Sequence, residues 1–66
     1  MYIQLNGKKT EYPADTSIGD ILSDFKLMAE TVVIEYNRAL LGEADSINVP
    51  LVEGDSLEIV RFVGGG

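Results

Sequence analysis

Hydrophobic and polar positions alternate at the two ends of this chain and recur at helical spacing between them. Ile3 and Leu5 alternate with Tyr2 and Gln4, the period-two pattern of a strand with one buried face. Asn6-Gly7 follows, and because both residue types tolerate positive φ the pair predicts a tight hairpin turn. Residues 8–12 then form the returning strand, with Thr10 and Tyr12 on one face, and Pro13 ends it because proline cannot donate to a sheet ladder. Ile18, Ile21, Leu22 and Phe25 fall at i, i+3, i+4 and i+7, a single apolar stripe on a helix. Asp15, Thr16 and Ser17 are suited to its N-cap, and Ser17 with Asp20 three residues on has the form of a capping box. Gly19, in the first turn, points to close packing on a strand. Leu27 and Met28 are expected to end the helix and cover the edge of the core.

Residues 31–36 are the most strand-like run, with Val32, Ile34 and Tyr36 facing the core and Val33 and Glu35 facing away. Asn37-Arg38 reads as a turn into a short strand over residues 39–41, which Gly42 ends. Residues 43–52 are irregular, with one helical turn expected near Asp45, and Ile47, Val49 and Leu51 pin them to the core. Pro50 argues against a central strand there. After a tight turn at Glu53-Gly54-Asp55, residues 56–63 form the last strand, Leu57 and Ile59 inward, Glu58, Val60 and Phe62 outward. The order strand–strand–helix–strand–strand–strand is α+β. It places the main helix across one face of a mixed sheet of four to five strands, with the first and last strands parallel in the middle. This is the β-grasp, or ubiquitin-like, arrangement. The expected division is a β-grasp domain over residues 1–63 and a flexible glycine tail over residues 64–66.

Composition narrows the chemistry. The chain has 66 residues, 11 acids against 5 bases, a formal net charge of −6, and no cysteine, histidine or tryptophan. A chain this short buries only about 60% of its unfolded surface, so regular secondary structure must hold it without disulfides. No thiol nucleophile, zinc knuckle or imidazole acid–base pair can be built from it. The acidic balance disfavours nucleic acid and anionic membranes as partners. No stretch approaches the roughly 20 apolar residues of a membrane span. With a strand starting at Tyr2 no signal peptide is expected, and a cytoplasmic location is.

Two carboxylate pairs are weighed and set aside. Asp20 and Asp24, at i and i+4, read as a solvated helix face. Glu53 and Asp55 flank a turn glycine and read as turn chemistry rather than a metal site. Gly64, Gly65 and Gly66 are more informative. Glycine-rich termini are often only frayed ends, but this run follows a hydrophobic strand with no polar spacer. Residues without Cβ can thread a narrow channel and adopt conformations closed to other side chains. A phosphate-binding glycine loop would need a helix after it. The expected reactive group is therefore the α-carboxylate of Gly66. A carboxylate is a poor electrophile until converted to an acyl-adenylate.

The run from Gly54 through Asp55, Leu57, Ile59, Arg61 and Val63 to Gly66 resembles the ending of the ThiS family, the sulfur carriers of thiamin biosynthesis. The opening Ile3-Gln4-Leu5-Asn6-Gly7, the segment Val32-Val33-Ile34-Glu35-Tyr36-Asn37 and the short length agree with it. The resemblance implies a cycle. An E1-like adenylating enzyme of ThiF type uses ATP and Mg to adenylate Gly66, and a persulfide from a cysteine desulfurase replaces AMP. The C-terminal thiocarboxylate that results donates sulfur to thiazole synthase of ThiG type. The carrier is then a protein cosubstrate and no enzyme. It binds no cofactor or metal of its own and is a monomer when free. Gly65 and Gly64 give the tail access to the partner's site. Val33, Val60, Phe62 and Glu58, on the face opposite the helix, would bind partners, with Glu35 also on the acidic rim. Arg61 has inward parity, so its stem should lie on the sheet edge with the guanidinium in water. The alternatives are the small-subunit sulfur carrier of molybdopterin synthase, a ubiquitin-like protein modifier, and a β-grasp interaction module with no activated tail.

Overall fold

The computed structural model describes residues 1–42, 45 and 47–61. Five strands form one mixed sheet: β1 (Tyr2–Leu5), β2 (Lys8–Glu11), β3 (Val32–Tyr36), β4 (Ala39–Leu41) and β5 (Ser56–Arg61). Their spatial order is β2-β1-β5-β3-β4. β1 and β5 pair in parallel at the centre, and the other three pairings are antiparallel. Helix α1 (Ile18–Asp24) covers one face, and a short 3-10 turn (Ala29–Thr31) leads into β3.

Both hairpins close through two-residue turns whose central residues have positive φ, Asn6 (50°) with Gly7 (82°) and Asn37 (49°) with Arg38 (71°). Such primed turns match the right-handed twist of the strands. They fix the registers Leu5↔Lys8 and Tyr36↔Ala39. Strand β2 stops one residue before the expected limit, yet the Tyr12 N–H still donates to the Met1 carbonyl at 2.8 Å.

The start of α1 shows where every early donor goes. The capping box at Ser17 and Asp20 is formed in both directions. The Ile18 and Gly19 N–H groups donate outside the helix, to Val49 O at 3.0 Å and Ile47 O at 3.1 Å. Residues 47–51 thus satisfy amides that a helix start leaves unpaired. Gly19 packs against this segment and not, as expected, against a strand. A Cβ there would lie 2.6 Å from the Ile47 carbonyl oxygen.

The helix ends earlier than its apolar stripe suggests. Phe25 is its C-cap, and Lys26 takes a left-handed φ of 58°. The Leu27 N–H bonds Leu22 O at 2.8 Å and the Lys26 N–H bonds Ser23 O at 3.0 Å. This is a Schellman ending with lysine in the usual glycine position. Phe25 and Met28 are therefore exposed, while Leu27 packs on the core.

The core joins Ile3, Leu5, Val32, Ile34 and Leu57 of the sheet to Ile18, Ile21 and Leu22 of the helix and to Leu51. Val49 and Leu51 pin the 47–51 segment as expected, but the Ile47 side chain is exposed and only its carbonyl holds the helix. No helix among the described residues is long and apolar enough to cross a membrane.

Candidate functional site

Alternation along β5 sends Leu57 and Ile59 toward the helix and Glu58 and Val60 to the opposite face. There the register sets Val33 opposite Val60 and Glu35 opposite Glu58. Val60 is 62% exposed and Val33 half-buried. The β3–β4 register adds Leu40 opposite Glu35, and Leu40 is 72% exposed. Val33, Val60 and Leu40 therefore share one face across three strands, Val60 and Leu40 exposed, with the Glu35–Glu58 pair beside them. Directly opposed like charges cost stability on a sheet, so this arrangement does not serve the fold. Alternation along β3 and β5 alone does not reach Leu40. The Asn37-Arg38 turn carries it, since a two-residue loop determines which face each residue of the returning strand occupies.

Val33, Val60 and Glu58 lie together on this face. Phe62, Gly64, Gly65 and Gly66 lie outside the described residues. Arg61 is exposed and stands opposite Val32 at the end of the β3–β5 ladder.

The strand leading to the glycines is anchored at its start by a buried carboxylate. Asp55, only 6% exposed, accepts hydrogen bonds on Oδ2 from the Tyr36 hydroxyl (2.8 Å) and the Val52 N–H (2.9 Å), and on Oδ1 from Asn37 Nδ2 (3.1 Å). Asn37 in turn accepts on Oδ1 from the Ser56 N–H at 2.8 Å. Burial pushes the Asp55 carboxyl up, but the bonds from Val52, Asn37 and Tyr36 outweigh it and hold the group below the usual aspartate value. The bond to Asp55, then burial and the Asp55 charge, raise Tyr36 above the usual tyrosine value. Asp55 is thus more than a turn residue. Its partners at 36 and 37 lie far away in sequence, and no local pattern reveals them.

Two further features border the sheet. Lys9 Nζ sits 4.6 Å from the Tyr2 ring centroid, a cation–π contact on the outer face. A cleft of about 300 Å³ opens on the helix side between Leu5, Asn6, Phe25, Leu27 and Ile59. No group of three or more Asp or Glu residues suited to a metal ion occurs among the described residues.

Residues 3–66 match the model of the ThiS family. A relative from Bacillus subtilis (strain 168), the "Sulfur carrier protein ThiS", is 40% identical over 65 residues, covering 97% of this chain and 98% of that protein. A "Thiazole synthase" of Magnetococcus marinus is 35% identical over 66 residues, and there the whole of this chain corresponds to 20% of the relative. The crystal structure of the thiamine biosynthesis protein ThiS from Geobacter metallireducens superposes with a TM-score of 0.81 at 29% identity, covering all of both chains.

Proposed function

The chain belongs to the ThiS family, and on that premise we propose that it is a sulfur carrier for the thiazole ring of thiamin. The observation that carries this reading is a family match that runs through the sheet and on through Gly64, Gly65 and Gly66. A Gly66 carboxylate oxygen attacks the α-phosphorus of ATP on an E1-like, ThiF-type enzyme, and pyrophosphate leaves. Magnesium and ATP belong to that enzyme. A persulfide sulfur supplied by a cysteine desulfurase then displaces AMP from the acyl carbon. Cleavage of the S–S bond by a second thiol, which ends in a disulfide, leaves the thiocarboxylate. A ThiG-type thiazole synthase takes the sulfur. That a thiazole synthase contains a stretch similar to this chain supports such a partner. The carrier is a cosubstrate of both enzymes.

The outer face is the surface those enzymes would grip. Val33, Val60 and Leu40 offer apolar contact, and Glu35 and Glu58 select a partner surface with lysine or arginine. A chain of net charge −6 is drawn to such a surface over distance.

Intact mass spectrometry tests the reading. Incubation with a ThiF-type enzyme, MgATP and a sulfur source should exchange one oxygen for one sulfur. Deleting Gly66 should abolish the exchange and leave the circular dichroism unchanged. No exchange with several such enzymes overturns the proposal, and covalent ladders on other proteins would point to a modifier instead.

A further inference from the structure

We propose that the helix-side cleft beside Ile59 is a docking point for the activating enzyme, filled by an apolar side chain that the enzyme presents; this rests on the sulfur-carrier reading of Gly66. β1 pairs with β5 in parallel and ends at Leu5, opposite Leu57, while β5 runs on to Arg61. Past the end of β1 a hollow of about 300 Å³ opens between Leu5, Asn6, Phe25, Leu27 and Ile59. Leu5, Leu27 and Ile59 pack on the core and line the hollow with their remaining surface. Phe25 forms its outer wall and is 51% exposed. Met28, which follows Leu27 in the chain, is also exposed.

The lining selects the occupant. Asn6 is its one polar residue and no charged side chain lines it, so a charged group would lose water there without gaining a partner. An apolar side chain would bury its own surface together with the ring of Phe25. The helix ending also keeps that ring outside. Lys26 takes a φ of 58° directly after Phe25, a conformation unfavourable for an ordinary side chain. Backbone strain of this kind collects where binding makes use of it, and a large apolar group left in water beside a hollow marks a contact surface.

Covalent reach identifies the activating enzyme as the partner. Gly66 is five residues after Arg61. At about 3.3–3.6 Å per residue, its carboxylate lies within about 18 Å of Arg61 whatever path those residues take. Ile59 lies only about 7 Å before Arg61 along the strand. A standard interface covers about 800 Å² of each partner, a patch about 30 Å across. An enzyme surface that encloses the carboxylate and meets Val60 on the outer face therefore has the hollow within its footprint, one residue away on the other face of β5.

Calorimetric titration of the full-length carrier into a ThiF-type enzyme without ATP reads docking apart from chemistry. Phe25→Ala should weaken binding about tenfold, by the same factor at low and high salt because the contact is apolar. Two controls should bind like the wild type. Val52→Ala trims a residue 59% exposed at the opposite end of β5, and Ile21→Val lowers core stability under the helix. Wild-type affinity in Phe25→Ala, a factor that shrinks at high salt, or an equal loss in either control overturns the docking role, as does a wild type that does not bind. Heats of diluting the carrier alone that vanish in Phe25→Ala would give the hollow to a second copy and overturn it too. A wild type that binds the enzyme but is never adenylated when ATP is added overturns the sulfur-carrier reading instead.

Discussion

Tyr36 donates its hydroxyl to Asp55 Oδ2 at 2.8 Å, tying the end of β3 to the turn that begins β5. Three donors converge on that one carboxylate, and truncating it strands all of them. Asp55→Ala should cost about 2–3 kcal/mol, and Tyr36→Phe, which removes a single bond, about 1 kcal/mol. Urea unfolding measures both. A smaller loss for Asp55→Ala than for Tyr36→Phe would show that the carboxylate is not the hub.

The same pair shapes stability against pH. The Asp55 value is lower folded than unfolded, so its contribution is complete above the unfolded value of about 4 and fades as pH falls through the folded one. The Tyr36 value is raised, so its contribution is complete below about 10 and fades as pH rises through the folded value. Asp55→Asn should flatten the acid limb of the unfolding free energy, and Tyr36→Phe the alkaline limb. Limbs that run parallel to wild type would contradict this assignment.

On the outer face, stability and recognition should move in opposite directions. Glu35→Gln relieves the like-charge pair with Glu58 and should stabilise the fold by about 0.2–1 kcal/mol. It should also slow association with a basic partner and weaken the salt dependence of that rate. Val60→Thr, which keeps a β-branched residue in the strand, should leave the melting temperature nearly unchanged and reduce affinity for the ThiF-type enzyme. Stopped-flow binding at two salt concentrations reads both variants, and unaltered kinetics would remove this face from the interface.

Gly19→Ala is expected to destabilise although alanine is the better helix former by about 1 kcal/mol. The new Cβ would sit 2.6 Å from a backbone oxygen whose position the Gly19 N–H itself helps to set. A loss of about 1–3 kcal/mol is the expected size for such overpacking. A gain in chemical denaturation would mean that the 47–51 segment sits farther from the helix.

Lys26→Gly should act the other way. Lysine there holds a φ of 58° at the helix end, a conformation costing an ordinary side chain roughly 1–2 kcal/mol. Glycine avoids that cost but is more mobile when unfolded. A net gain of about 0.5–1 kcal/mol in thermal unfolding is expected, and a net loss would indicate that the lysine stem makes contacts of comparable worth.

The architecture was legible because its signals are local. Ile3 and Leu5 announce their strand by alternation, Asn6-Gly7 its turn, and Ser17 with Asp20 the helix start. Other positions depend on an unusual cap residue or on distant chain. Phe25 continues the apolar stripe, but the helix stops beneath it through a lysine no glycine rule would flag. Ile47 looks like a core residue yet contributes its carbonyl. Asp55 is buried because Tyr36 and Asn37 arrive from another hairpin. Strand parity alone puts Val33, Val60 and Glu58 on one face, and Phe62 lies outside the described residues, whereas Leu40 reaches that face only through the β3–β4 register.

The central pairing of β1 with β5 joins the first strand of the sheet to the last. Such long-range closure is slow compared with local helix formation, because the intervening loop must be ordered before the contact is made. A nascent chain on the ribosome cannot complete this sheet until Leu57 has emerged beside Leu5. The Val33–Val60 pair lies on the neighbouring β3–β5 ladder and likewise waits for β5. The outer face therefore takes shape only after almost the whole chain is in place, and a chain cut short of Val60 would lack it.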